Sequence, residues 1–293
     1  MSHLTVEKIV QNQRKLERKR WFIVLTFLAI SLIGLVFDIV TGPSMLPLDE
    51  VVKALLRFED VETTTNVIVY DLRLPMALMA LVVGAALGVG GAEIQTLLNN
   101  PMASPYTLGL AAAAGLGAST VIAFGGFGLP SAFAAPEISQ QILFWLFGSL
   151  TKATWENLSI ATVVTIVCVS LLAKDLWKLT ALRLGEARAL SLGINLQRLR
   201  LKTLVLVAIM TATAISFVGI IGFIGLVAPH VARMLLGEDQ RFFLPGAMLI
   251  GAAFLSVASV LSKVIVPGAL FPVGIITSFV GVPFFFWIVL TKR

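Results

Sequence analysis

KDLWKLTALRLGEARALSLGINLQRLRLK, residues 174–202, is a long polar insert in an otherwise apolar second half. It carries Lys174, Lys178, Arg183, Arg188, Arg198, Arg200 and Lys202 against only Asp175 and Glu186. The runs on either side, Glu156 to Ala173 and Thr203 to Val218, are continuously apolar, so they read as membrane-crossing helices and not as alternating barrel strands. Within the insert, Leu184-Gly185-Glu186-Ala187-Arg188-Ala189-Leu190-Ser191-Leu192-Gly193 reads as a short amphipathic helix bracketed by glycines. Leu184, Ala187, Leu190 and Ile194 are spaced by three and four, which places them on one face. A short helix between two spans on the positively charged side has the shape of a docking element for a soluble partner. A solvated loop that obeys the positive-inside rule is the other reading, and spacing leaves both open.

Outward from that insert the same pattern repeats. Of 293 residues 58% are apolar and 13% charged, against roughly 25% charged in an average soluble domain. Apolar runs of about 20 residues, each long enough for ~30 Å of hydrocarbon, predict an all-α polytopic membrane protein of about eight spans. The expected order is a basic cytoplasmic leader at 1–20, then spans at Trp21–Val40, Leu74–Leu98, Tyr106–Phe124 and Glu156–Ala173. After the cytoplasmic loop at 174–202 come Thr203–Val218, a short interrupted inward span ending near Arg233, Phe243–Val266 and Phe271–Leu290. Both termini and every basic cluster then fall on the cytoplasmic side, with residues 21–293 as one transmembrane domain. Residues 41–72 are acidic and lie outside, with Asp49 to Phe58 as an interfacial helix. A second short helix, Gln141 to Leu150, also lies outside. The net charge of +6 is explained by topology and does not point to nucleic acid. Cys168 is the one cysteine, so no intrachain disulfide forms.

The second span is rich in small residues (Gly84, Ala85, Ala86, Gly88, Gly90, Gly91, Ala92), which lets helices approach closely and predicts a central position. It also carries Glu93 and Gln95, whose polar groups should face protein or water. Asn99-Asn100-Pro101 ends it. Two histidines, His3 and His230, and one cysteine assemble no metal cluster, and the chain has no nucleotide-cradling glycine loop. The glycines around Gly222 and Gly225, before Pro229 and His230, interrupt a helix at membrane depth. Such breaks line transport paths or only tighten packing. His230 is a ligand or proton carrier on one reading and a structural histidine on the other. Arg73 and Lys263 sit near outer span ends, where they could pair with a partner's carboxylates or snorkel to headgroups.

Several blocks resemble one family. Arg73-Leu74-Pro75, Gly84-Ala85-Ala86-Leu87, Gly91, Gln95, Asn100-Pro101-Met102-Ala103-Ser104-Pro105 with Leu108-Gly109, Leu184-Gly185-Glu186-Ala187 with Leu192-Gly193, and Gly222 through Arg233 are similar to the permeases of type II ABC importers for iron-siderophores, haem and vitamin B12. Pro272-Val273-Gly274 and Gly281-Val282-Pro283-Phe284-Phe285 extend the likeness to the C-terminus.

The resemblance implies a permease subunit in a bacterial inner membrane, moving an iron chelate or haem. It implies two permeases, identical or related, two ATPase subunits that bind the ATP and Mg, and a periplasmic or lipoprotein substrate-binding protein. The chain itself would hold no cofactor and perform no catalysis. Leu184, Gly185, Glu186, Ala187, Arg188, Leu190, Leu192 and Gly193 match the coupling helices. Arg73 and Lys263 match basic residues that receive the binding protein, and Gln95, Asn100, Pro101, Gly222, Gly225, Pro229 and His230 match path or structural positions. Three departures stand out: Leu270 replaces an acidic residue, Ser259 an aspartate and Met76 a second arginine. The family has ten spans, and comparison places the missing pair between Leu129 and Glu137. An ion-gradient-driven transporter and an inactive shortened paralogue are the alternatives.

Overall fold

The computed structural model describes residues 3–44, 46–56, 61–109, 112–113, 116–117, 145–265 and 271–291. The described residues form helices and connecting turns. The order is α1 (His3–Val40), α2 (Leu48–Leu55), α3 (Thr63–Val67), a π-helical turn (Ile68–Arg73), α4 (Leu74–Leu97) and a 3-10 turn (Pro105–Leu108). After Trp145 come α5 (Trp155–Ala173), α6 (Leu176–Arg183), α7 (Glu186–Ser191), α8 (Leu196–Val218), α9 (Ile224–Leu236), α10 (Gln240–Val264) and α11 (Val273–Thr291). Five helical stretches are long and apolar enough to cross a membrane, and α9 and α11 supply two shorter apolar ones. Most of the expected crossing Tyr106–Phe124, the first four residues of the short helix Gln141–Leu150 and the whole Leu129–Glu137 junction lie outside the described residues.

Two boundaries differ from expectation. The leader is not separate from the first span: α1 is continuous from His3, because its Lys, Arg, Gln, Glu and Leu residues are good helix formers and no breaker intervenes. The helix of α8 likewise starts at Leu196, seven residues before the apolar run. There the Asn195 side chain accepts the Arg198 amide proton at 2.9 Å and caps the first turn.

The centre of the bundle is α4, as its composition predicts. Its apolar window is 72% buried, against 22% for α1, and α1, α5, α8, α9 and α10 all pack on it. The closest seam is with α10. A Cβ on Gly84 would stand 2.3 Å from the Gly251 carbonyl oxygen, and one on Gly251 would stand 2.2 Å from that of Gly84. One turn on, a Cβ on Gly88 would meet the Ala247 oxygen at 2.2 Å. Small residues four apart on both helices thus bring the two backbones into contact. A second seam joins α4 to α9. Pro229 has no N–H, so the carbonyl of Gly225 one turn earlier lacks its helical donor. That oxygen is turned onto α4, where a Cβ on Gly91 would be 1.9 Å away.

Candidate functional site: the α6–α7 pair and the charges at either end

One end of the bundle carries α6 and α7. Here α6 buries Leu179, Ala181 and Leu182 against Leu97 of α4 and Leu196 and Leu199 of α8. The expected apolar face of the next helix is corrected by the structure. Of Leu184, Ala187, Leu190 and Ile194 only Ile194 is buried, and it is joined in the core by Ala189. The physical reason is that α7 is six residues long and is bounded by Gly185 at φ 115° and Gly193 at φ 77°. Both lie in the left-handed region, so helical phase is not carried through them. The result is a set of apolar side chains facing away from the chain: Leu184, Leu190 and Leu192 are 61%, 58% and 54% exposed. Glu186 and Arg188 stand exposed beside them, and Glu186 pairs with Arg200 of α8 at 2.5 Å.

The rim is anchored by charge. Asp175 accepts from Lys178 at 2.6 Å and from Lys202, which ties the end of α5 to α6 and α8. Burial pushes its carboxyl up, but the hydrogen bonds from the two lysines outweigh that and hold it below the usual carboxylate range. The turn between α9 and α10 is held similarly. Asp239 accepts from Arg241 at 2.8 Å and lies 3.9 Å from Arg20 of α1. Its carboxyl is lowered chiefly by the Arg241 hydrogen bond.

At the far end, where α1 and α10 finish and α4 begins, the structure encloses Arg73 and Lys263, the two residues expected to receive a binding protein. Both are buried, at 2% and 5% exposed. The Lys263 ammonium donates to the Asp38 carboxylate at 2.7 Å and to the Asp38 carbonyl at 2.9 Å. Arg73, closing the π turn, donates to the carbonyls of Ile39 and Val40 at 3.1 and 2.7 Å, and to Ser44. A Cβ on Gly42 would be 2.6 Å from its guanidinium, so glycine leaves the room it occupies. The two cations cover the last carbonyls of α1, which no intrahelical donor reaches. Ser259, where the resemblance leads one to expect an aspartate, donates to Asp38 at 2.8 Å, so the carboxylate at this seam comes from α1.

The remaining site residues fall in separate places. Asn100 is exposed and accepts from the Met102 amide at 2.9 Å, and with Pro101 it forms the turn after α4. Gln95 and Glu93 are fully buried in α4, with no hydrogen-bond partner for either side chain among the described residues. Gly225 and Pro229 belong to the α4–α9 seam, which is the packing reading. A Cβ on Gly222 would meet nothing within 4 Å. His230 is half-buried, its ring edge-on to Phe284 of α11 at 5.8 Å. Sequence reasoning missed the pairing of Asp38 with Lys263 and that of Arg183 with Glu238, and no local pattern signals either.

A helical bundle that crosses the membrane repeatedly and presents a short, leucine-tipped helix at one end has the architecture of a transport permease. Comparison with known proteins agrees. The FecCD transport family model matches residues 28–138 and 131–291. An iron chelatin transport system permease protein of Helicobacter pylori (strain J99) is 35% identical over 79% of this chain and 85% of its own. An ABC transporter permease protein of Methanocaldococcus jannaschii is 29% identical over 96% of this chain and 98% of its own. A solved structure, a metal-chelate type ABC transporter in an inward-facing conformation, superposes with a TM-score of 0.78 at 26% identity, over 92% of this chain and 99% of that one. The chain belongs to the FecCD transport family, whose members are transport permeases and not enzymes. Its family match comes in two pieces that meet at 131–138, the place where the missing pair of spans was expected. The alignment with the M. jannaschii protein runs over 343 positions, longer than this 293-residue chain, so that relative has residues with no counterpart here.

Proposed function

We propose that this chain is the permease subunit of an ATP-binding-cassette importer for an iron chelate, in the cytoplasmic membrane of a bacterium. A second permease, identical or related, completes the channel. ATPase subunits dock at the α6–α7 end and hold the ATP and Mg, and a binding protein delivers cargo at the far end. Both termini and the α6–α7 end face the cytoplasm, which the clustering of basic residues there supports. The observation that carries the reading is the exposure of Leu184, Leu190 and Leu192 on a helix whose other side is anchored in the bundle. Exposed apolar side chains rimmed by polar residues mark protein–protein contact surfaces, and the rigid base lets movement of that partner reach the spans. The cargo assignment is supported by the relatives named for iron chelatin and metal chelates.

The test is reconstitution with ATPase and binding protein in liposomes. Leu190→Glu should abolish retention of the ATPase while leaving the bundle folded. Retention at the wild-type level would sink the docking role. A second reading, a shortened paralogue without transport, is favoured by the two-piece family match. ATP-dependent uptake by this exact chain would remove it.

A further inference from the structure

Resting on that reading, we propose that Glu238 is the latch through which the α6–α7 pair moves α9. Glu238 lies in the short turn between Leu236, the end of α9, and Gln240, the start of α10. Its carboxylate stands between two guanidiniums. Arg183, the last residue of α6, donates to it, and Arg233 in the last turn of α9 is 3.5 Å away. Arg183 also donates to the Asn99 side chain at 2.9 Å, at the end of α4. Arg233 is the more dependent partner. None of its three nitrogens has a hydrogen-bond acceptor among the described residues, and its guanidinium lies beside Glu238 and over the Phe243 ring, 5.2 Å from the centroid. Two like charges are therefore held side by side by one carboxylate, and without it they repel.

The grip has a second point. The Gln240 amide donates to the Thr180 hydroxyl at 3.3 Å, and the Gln240 side chain donates to Thr96 of α4 at 2.9 Å. Thr180 and Arg183 are neighbours on one face of α6, so α6 holds the α9–α10 turn at two successive points. Only Leu184 and Gly185 separate α6 from α7, so a push on α7 reaches this turn through a short lever. From there α9 runs to the seam at Gly225 and Gly91, where packing and not hydrogen bonding joins it to α4. Glu238 is half-exposed, but the side chains of Arg183 and Arg233 are only 11% and 17% exposed, so removing the carboxylate strands two enclosed cations and carries a cost in stability. The ratio of uptake to ATP hydrolysis, read on assembled complex, therefore separates a latch from a merely structural contact.

The experiment uses the permease with its ATPase and binding protein in liposomes. Radioiron is presented as a hydroxamate complex, as a citrate complex and as haem, and uptake is read per ATP hydrolysed. Glu238→Gln should lower that ratio about tenfold while ATP hydrolysis continues. Glu238→Asp should retain at least half of it. Arg183→Gln should lower it by a similar factor, and the double variant should be no worse than either single one, because both changes break one contact. A ratio within twofold of wild type for Glu238→Gln, or additive losses in the double variant, overturns the latch. If Glu238→Gln does not assemble, Arg183→Lys decides, since it keeps the charge but not the fork that spans Asn99 and Glu238, and an unchanged ratio there overturns the proposal. A wild type that hydrolyses ATP but imports none of the three probes overturns the importer reading and the latch with it.

Discussion

The two ends of the bundle hold their charges in opposite ways. At the far end Arg73, Asp38 and Lys263 are buried among α1, α4 and α10, where Arg73 and Lys263 bond to the end of α1 and Ser259 and Lys263 bond to Asp38. At the α6–α7 end Glu186 is 60% exposed, Glu238 and Lys178 are close to half exposed and Arg188 is exposed, and the pairings of Glu186, Glu238 and Lys178 join α6, α7, α8 and the α9–α10 turn. Buried charge fixes helices in one register, because any slip leaves an ion without its partner. Open charge on short helices permits movement. The contrast therefore assigns rigidity to the far end and adjustability to the end where α7 is presented.

The sharpest way to break this comparison is to remove one buried partner. Asp38→Ala leaves the Lys263 ammonium enclosed without a carboxylate, and loss of one member of a buried pair costs about 3–5 kcal/mol. A large fall in the unfolding temperature of the purified protein is expected. Replacing both members, Asp38→Leu with Lys263→Met, should recover most of that loss, since no ion is then stranded. If Lys263→Ala instead left stability intact and weakened a binding protein's affinity, the far end would be a docking surface and the contrast would fail.

The next effect lies midway between the ends. Gly84→Ala places a Cβ against the Gly251 carbonyl, and backbone on both sides leaves nothing flexible to give way. Overpacking of this kind costs about 1–3 kcal/mol. Chemical denaturation of the variant should show a loss in that range. No loss would mean that α4 and α10 are not in backbone contact and that the two ends are joined less firmly than the comparison requires.

How far the sequence discloses this depends on the distance over which each feature is encoded. Helices made of continuous apolar runs were legible, and so was the central place of α4, because small residues at Gly84, Gly88 and Gly91 are a local signal with a direct packing consequence. The shortened middle was legible through the family resemblance, and the two-piece match supports it. Leu184, Ala187 and Leu190 of the expected apolar face are exposed, but Ile194 was misplaced because counting in fours ran across Gly193, where positive φ breaks the phase. The fates of Arg73 and Lys263 were not legible at all. Lys263 meets Asp38 from 225 positions away, and nothing near either residue distinguishes a buried clamp from a surface cation. For Arg183 and Glu238, 55 positions apart, the same reason applies.

The smallest expected effect tests the open end by pH. Asp175 is tied to Lys178 and Lys202, and its carboxyl titrates below its ordinary value of 3.8. A carboxyl lowered in the folded state adds stability at pH values above its unfolded pKa, and that contribution disappears as the pH falls through the folded one. Both lysines are more than a third exposed, so screening limits the contribution to about 1 kcal/mol or less. Wild type should therefore lead Asp175→Asn slightly near neutrality, and the lead should shrink below about pH 4. Other carboxylates titrate in the same window, but they do so equally in both proteins, so the difference between the two curves isolates Asp175. A difference that stays constant down to the acid limit would show that the lysines hold Asp175 no more tightly than water does, and that the α5–α6–α8 junction is secured by Leu179 and its apolar neighbours alone.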